Sequence, residues 1–257
     1  MATRRNAAAP LAAYVLHHHD WSESSLILDL FTRELGRIVV VAKGAKRPYS
    51  QLRCVLLPFQ RLLVQLGSKR QEEGTEVQLL RSAEWGGGGA MPGGAGLLAG
   101  FHLNELLLRG LARQDPHATL FDTYAATLPV LASGDDAGTA AALRAFELHL
   151  LADTGVLPEL HVVTATQRPV DTGARHLLHP ETGVQPLRDG ETGLPGAVLT
   201  ALQVALDARD LAGLRSACLG APVELRNQLR QMLHYHLGTS ALRTRALMVE
   251  VQKLIEP

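Results

Sequence analysis

Cysteine is nearly absent from this chain: Cys54 and Cys218 are the two in 257 residues. Two thiols exclude a disulfide framework and a four-cysteine zinc site, and they fit a reducing compartment. Net charge is absent as well, because 25 Lys and Arg balance 25 Asp and Glu. A globally basic nucleic-acid binder is thereby excluded, but a locally basic one is not. No apolar run approaches the ~18 residues that a spanning helix needs. Arg4 and Arg5 have no apolar stretch behind them, so no export signal is expected. A cytoplasmic protein without membrane contact is the expectation. Hydrophobic residues, at 46%, suffice for a core, and the length is comfortable for two domains.

Local catalytic signatures are also missing. There is no His-Glu-x-x-His, no Gly-x-Ser-x-Gly and no Cys-x-x-Cys. Ser22, Ser24 and Ser25 read as turn residues rather than nucleophiles. His17, His18 and His19 are consecutive, and successive strand residues point to opposite faces, so a shared metal is disfavoured. The glycine-rich stretch 86–96, with seven glycines and Pro92, is not followed by Gly-Lys-Ser/Thr and is no phosphate loop. No enzyme activity, cofactor or metal is expected.

The zero net charge conceals an uneven distribution. Residues 1–82 carry a net +5 and residues 83–257 a net −5. Between Arg33 and Arg70 nine basic residues (Arg33, Arg37, Lys43, Lys46, Arg47, Arg53, Arg61, Lys69, Arg70) face one acid, Glu34. Such a run is often an ordinary solvated face. Here it lies on strands and their turns, which favours an anion-binding surface.

The hydrophobic pattern gives the organisation. Leu11–His18, Leu26–Phe31 and Arg37–Ala42 read as strands, the last β-branched and the second alternating with period two. Ala45–Leu52 reads as a polar basic connection, Leu56–Leu66 and Thr75–Arg81 as two more strands, and Gly67–Gly74 as a charged hairpin loop. Five strands with one longer connection predict a small OB-fold barrel over 1–82. Residues 83–96 read as a Gly-rich linker. The period then becomes helical, and a larger, mainly α-helical domain is expected over 97–257. An irregular or hairpin insert is expected at about 159–196, and further helices over Ala197–Ala208, Asp210–Cys218, Val223–Leu237 and Leu242–Leu254. The fold class is α+β and multidomain.

Lysines and arginines that neutralise phosphates release counterions, giving sequence-independent, salt-sensitive affinity. Lys43, Lys46 and Arg47 lie at a strand end and in the loop after it, where Gly44 permits close approach. Tyr49 either stacks on a base or is tucked under the loop. Arg33 and Arg37 flank the preceding turn. Lys69 and Arg70 extend a second loop, weakened by Glu72 and Glu73. Arg53 and Arg61 sit at the barrel's edge.

These residues also resemble a known family. The string 14–47 (YVLHHHDWSESSLILDLFTRELGRIVVVAKGAKR) is similar to the start of RecO, a bacterial recombination-mediator and DNA-repair family. The likeness continues through QLRCVLLPF (51–59), LLRSAE (79–84), NELLLR (104–109), LRAFELHLL (143–151) and YHLGTSALRTR (235–245), in the expected order. The resemblance implies an N-terminal OB-fold, binding of single- and double-stranded DNA, and strand annealing. Its implied partners are RecR, the C-terminal tail of single-strand DNA-binding protein and, through them, RecA. It puts the DNA-binding face on Arg33, Arg37, Lys43, Lys46 and Arg47. Many family members carry a four-cysteine zinc module where this chain has 159–195 without a cysteine, so no metal is expected. His161, His176 and His179 are the residual ligands there. Arg144 and Phe146 are the family-based candidates for partner binding. An acidic tail ending in an apolar residue and a carboxylate needs an arginine beside an apolar pocket. The rival for Arg144 is a plain surface arginine. The rival for the whole chain is a scaffold whose basic barrel face binds an acidic protein.

Overall fold

The computed structural model describes residues 9–67, 77–89, 91–188, 190–238, 242–244 and 247. They fall into two compact units. One is Met1–Met91 with Leu111–Ala125, and the other is Pro92–Gly110 with Ala126–Pro257.

The first unit is a closed five-stranded barrel of β1 (Leu11–Asp20), β2 (Leu26–Thr32), β3 (Gly36–Ala42), β4 (Leu62–Leu66) and β5 (Val77–Trp85), in the order β1-β2-β3-β5-β4. The start of β1, Leu11 to Ala13, pairs with β4, and most of its length pairs with β2 across an irregularity between Val15 and His17. The barrel closes through a parallel β3–β5 pairing. Alternate residues point inward: Val15, Leu28, Leu30, Ile38, Val40, Leu62 and Val64 are buried in one cluster. Burying each of the larger ones is worth ~1.5–3 kcal/mol.

Two local differences from the sequence pattern have physical causes. The run 56–61 is not strand. Pro58 cannot donate to a ladder, and Phe59 adopts a left-handed φ of 65°, so β4 starts only at Leu62. The expected basic connection instead contains a one-turn helix, α1 (Gln51–Val55). Most of the expected charged hairpin lies outside the described residues.

Segment 111–125 covers an outer wall of the barrel. Tyr14 of β1 meets Phe121 and Tyr124 at ring separations of 5.2 and 5.0 Å, and Phe31 of β2 meets Phe121 at 5.4 Å. Consequently β2 is buried on both faces from Leu28 to Thr32. The β2–β3 turn is fitted to this segment through Gly36, whose φ is +66°. A Cβ there would lie 1.7 Å from the Asp115 carbonyl oxygen.

The second unit contains α2 (Gly94–Gly110), all of α4 to α7, and the insert. Its helices are α4 (Asp136–Asp153), α5 (Gly196–Asp207), α6 (Leu211–Cys218) and α7 (Pro222–His236), while α3 (Ala118–Ala132) runs from the first unit into the second. Asp135 and Asp210 cap α4 and α6 by accepting backbone N–H bonds, and Pro222 begins α7. The insert is two small antiparallel sheets built from β6 (Val162–Val163), β7 (Arg168–Pro169), β8 (Arg175–His179), β9 (Gly183–Pro186) and β10 (Leu194–Pro195). The expected last helix over Leu242–Leu254 lies mostly outside the described residues. Its start is held by Glu105, whose carboxylate accepts from Arg243 N, Thr244 N and Thr244 Oγ1 at 2.9, 2.9 and 2.6 Å. Burial pushes this carboxyl up, but those donors, with Arg109 beside it, bring it below the usual carboxylate range.

Gly36→Ala should destabilise the barrel unit by on the order of 3 kcal/mol, combining a left-handed backbone with a backbone clash; chemical denaturation reads this. Glu105 titrates lower folded than unfolded, so its contribution is complete above the ordinary carboxylate value and fades as pH falls through the folded one. Glu105→Gln should lower neutral-pH stability by on the order of 1 kcal/mol and flatten the loss below about pH 4, as read by melts across pH.

Candidate nucleic-acid interface

The connection from β3 to α1, with α1 itself, carries a cluster of exposed positive charge. Between Lys43 and Val55 there are four cations and no acid. Lys43, Arg47 and Arg53 are exposed, and none has an ion pair or side-chain hydrogen bond among the described residues. Gly44, at φ +73°, makes the turn, and the Arg47 side chain lies over it. Tyr49 is 99% exposed, so the tucked-under arrangement is not the one adopted. Cations on an open loop with a free aromatic ring suit a phosphodiester backbone and a base face.

The other expected contacts are placed differently. Arg33 is paired in a fork with Asp122, both bonds 2.9 Å, and this pairing raises the guanidinium's pKa. Arg37 is mostly buried: its Nε lies 3.2 Å from Asp29, itself buried, and its Nη1 donates to the Leu111 carbonyl. The expected placement of Arg37 on the open DNA face is therefore corrected. It is a wall residue, and Asp29 of β2 together with the Leu111 carbonyl of the overlying segment engages its guanidinium. Lys46 donates to the Ser22 carbonyl at 3.0 Å and lies 3.3 Å from Asp20, so its charge is partly spent. Lys69 and Arg70 lie outside the described residues. His17, His18 and His19 are exposed, and the rings of His17 and His19 meet at 4.4 Å. Burial first, then His19 and His18, lowers the His17 pKa.

The second unit holds a cavity of about 440 Å³ between α4, α6 and α7. Leu143, Leu219, Val223 and Leu233 give it apolar walls, and Arg144, Arg226 and Arg230 supply guanidinium groups. Arg144 is largely buried, with Nη2 at 2.6 Å from Glu147 Oε1, and His102 Nε2 lies 3.2 Å from the same oxygen. It is thus no plain surface arginine. Cys218 lines the cavity too, and burial pushes its thiol up to about 12, leaving it neutral and unreactive. Phe146, expected beside Arg144 at the partner site, is corrected: it is fully buried and does not line the cavity. Two residues apart on α4, the two side chains point to opposite sides of the helix. The sequence reading missed Arg226 and Arg230. Their four-residue spacing on α7 puts both on one helix face, a signal hidden by the net acidity of that half.

In the insert, His176 is buried, His161 is exposed, and His179 Nδ1 accepts from the N–H groups of Glu181 and Thr182. Among the described residues no three His, Cys, Asp or Glu side chains converge as a metal site. Among them, too, no helix is long and apolar enough to cross a membrane.

Comparison with known proteins matches this division. Residues 10–85 match the model for the recombination protein O N terminal, and residues 94–246 that for the recombination protein O C terminal. A DNA repair protein RecO from Polaromonas sp. (strain JS666 / ATCC BAA-500) is 48% identical over 99% of this chain and 100% of its own length. One from Variovorax paradoxus (strain S110) is 51% identical over 94% of this chain and 96% of its own. One from Acidovorax ebreus (strain TPSY) is 51% identical over 99% of this chain and 100% of its own. With both halves matched and near-complete coverage at about half identity, the chain belongs to the RecO family.

Proposed function

We propose that this protein is a non-enzymatic recombination mediator in DNA repair that binds single- and double-stranded DNA through its barrel and anneals complementary strands. The observation that carries this reading is the exposed, acid-free segment in which Lys43, Arg47 and Arg53 have no ion pair among the described residues and the ring of Tyr49 is open. Cations that follow phosphates on two strands lower their mutual repulsion, and base-pairing energy then drives the annealing downhill. Acting in the bacterial cytoplasm on the nucleoid, it works with RecR to help load RecA onto DNA coated by single-strand DNA-binding protein.

The tail of that coating protein has a suitable receptor in the cavity between α4 and α7. Guanidinium groups can take a terminal carboxylate, and the Leu219 and Val223 walls an apolar end residue. Arg144, held by Glu147, offers a preset donor, whereas Arg226 and Arg230 are exposed and can attract the tail's acids.

Combining Lys43→Glu, Arg47→Glu and Arg53→Glu should lower DNA affinity on the order of 100-fold at low salt. It should also reduce the slope of log affinity against log salt by about 2 to 3. Arg37→Met should lower stability and leave that slope unchanged. Intact DNA binding by the triple variant would instead favour an acidic protein as the barrel's ligand. For the cavity, Arg226→Ala and Arg144→Ala should each weaken an acidic peptide with a free apolar C-terminus by roughly 10-fold in calorimetry. An amidated peptide should bind weakly to the unaltered protein.

A further inference from the structure

The turn between β1 and β2, Trp21–Ser25, carries one of the chain's two tryptophans, and this residue is 65% exposed. The turn is closed on itself. Trp21 N and Ser22 N donate to the Ser25 carbonyl, and Ser25 N donates to Ser22 Oγ at 3.2 Å. It is also stitched to the β3–α1 connection. Lys46 N donates to the Ser24 carbonyl at 3.0 Å, Lys46 Nζ to the Ser22 carbonyl at 3.0 Å, and Asp20 lies 3.3 Å from the same ammonium. Tyr49 follows three residues later, so its Cα is within ~11 Å of that of Lys46. The stitch therefore brings two exposed aromatic residues into neighbouring loops of one barrel end.

Charge divides the labour between these loops. Lys43 and Arg47 face solvent without a partner among the described residues and suit phosphates. The β1–β2 turn offers no spare cation: Lys46 already meets Asp20, and exposed Glu23 repels phosphate. An indole on that turn is suited to bases instead. A tryptophan fixed on a closed turn loses little freedom on binding, having two χ angles. Only an unpaired strand presents its base faces, since a duplex hides them in its stack.

We propose that Trp21 and Tyr49 form a stacking platform for the bases of a single strand, that Trp21 sets the preference for single strands over duplex, and that Lys46 is the positioning residue that holds its turn. The proposal rests on the DNA-binding reading of the barrel and deepens it.

The test uses the full chain carrying Trp85→Phe, which leaves Trp21 as the one indole. Titration with an oligothymidylate should quench its fluorescence, whereas a blunt duplex of equal length at equal salt should not. Trp21→Ala should weaken oligothymidylate binding by about 5- to 100-fold and duplex binding by less than about twofold, with Trp21→Phe close to the unaltered protein. Lys46→Met should weaken single-strand binding without changing the salt slope and add little to Trp21→Ala, and Lys46→Arg should restore it. Equal losses for both DNAs, unchanged single-strand affinity, or quenching by duplex would overturn the proposal. A salt slope reduced by about 1 in Lys46→Met would make Lys46 a phosphate contact and overturn its positioning role. If the unaltered protein shows no salt-sensitive DNA binding at all, the DNA reading itself fails, which is a separate outcome.

Discussion

The packing of Tyr14 and Phe31 against Phe121 and Tyr124 decides what the barrel can present to a partner. Aromatic pairs of this kind add to the burial of large apolar areas. Once segment 111–125 is seated there, the β2–β3 turn must approach its backbone closely, which requires glycine at position 36. The same seating draws Arg33 to Asp122 and Arg37 to the Leu111 carbonyl. One wall of the barrel is thereby closed and its cations neutralised. Among the described residues the exposed cations that remain include Lys43 and Arg47 on the loop after β3 and Arg53 on α1.

This is why a charge count alone overestimates the open cationic surface of the barrel. A run of nine basic residues was visible in the sequence, but a formal charge becomes a phosphate contact only if no carboxylate or carbonyl has claimed it. Asp29 and Asp122 lie 8 and 89 residues from their arginine partners. The nearer of these could be suspected from a cross-strand register, because Asp29 and Arg37 sit on adjacent antiparallel strands. The farther one depends on tertiary packing that no local pattern encodes.

Other features were legible because they depend on period and turn chemistry. The alternation through β2 and the β-branched run of β3 located both strands, and helical periodicity placed α7 within a residue of its observed bounds. The start of β4 is obscured by an apolar run that continues through Pro58, which makes an isolated bridge to Val15 but lacks the N–H that a continuing ladder needs. Phe146 was misplaced for a related reason. A string that resembles a family places a segment correctly but does not say which face of its helix is covered. Trp21 carries no local signal of its own, because its significance comes from the Lys46 stitch, made to residues 24 and 26 positions away in sequence.

The two candidate receptors differ in the geometry they impose on an anion, and that bears on how one neutral chain could serve two acidic ligands. A nucleic acid is a polyanion of regular spacing and open shape. It needs cations on an accessible loop and flat rings for unpaired bases, which is what Lys43, Arg47, Tyr49 and Trp21 offer. A peptide tail has an apolar end and a single terminal carboxylate. It needs an enclosed apolar cavity with a guanidinium already oriented, and Arg144 held by Glu147 in a cavity of about 440 Å³ answers that description. Duplex DNA cannot enter such a cavity, and a short peptide gains little from scattered, solvated lysines. Discrimination between two anions can thus come from enclosure, with no difference in the sign of the charge.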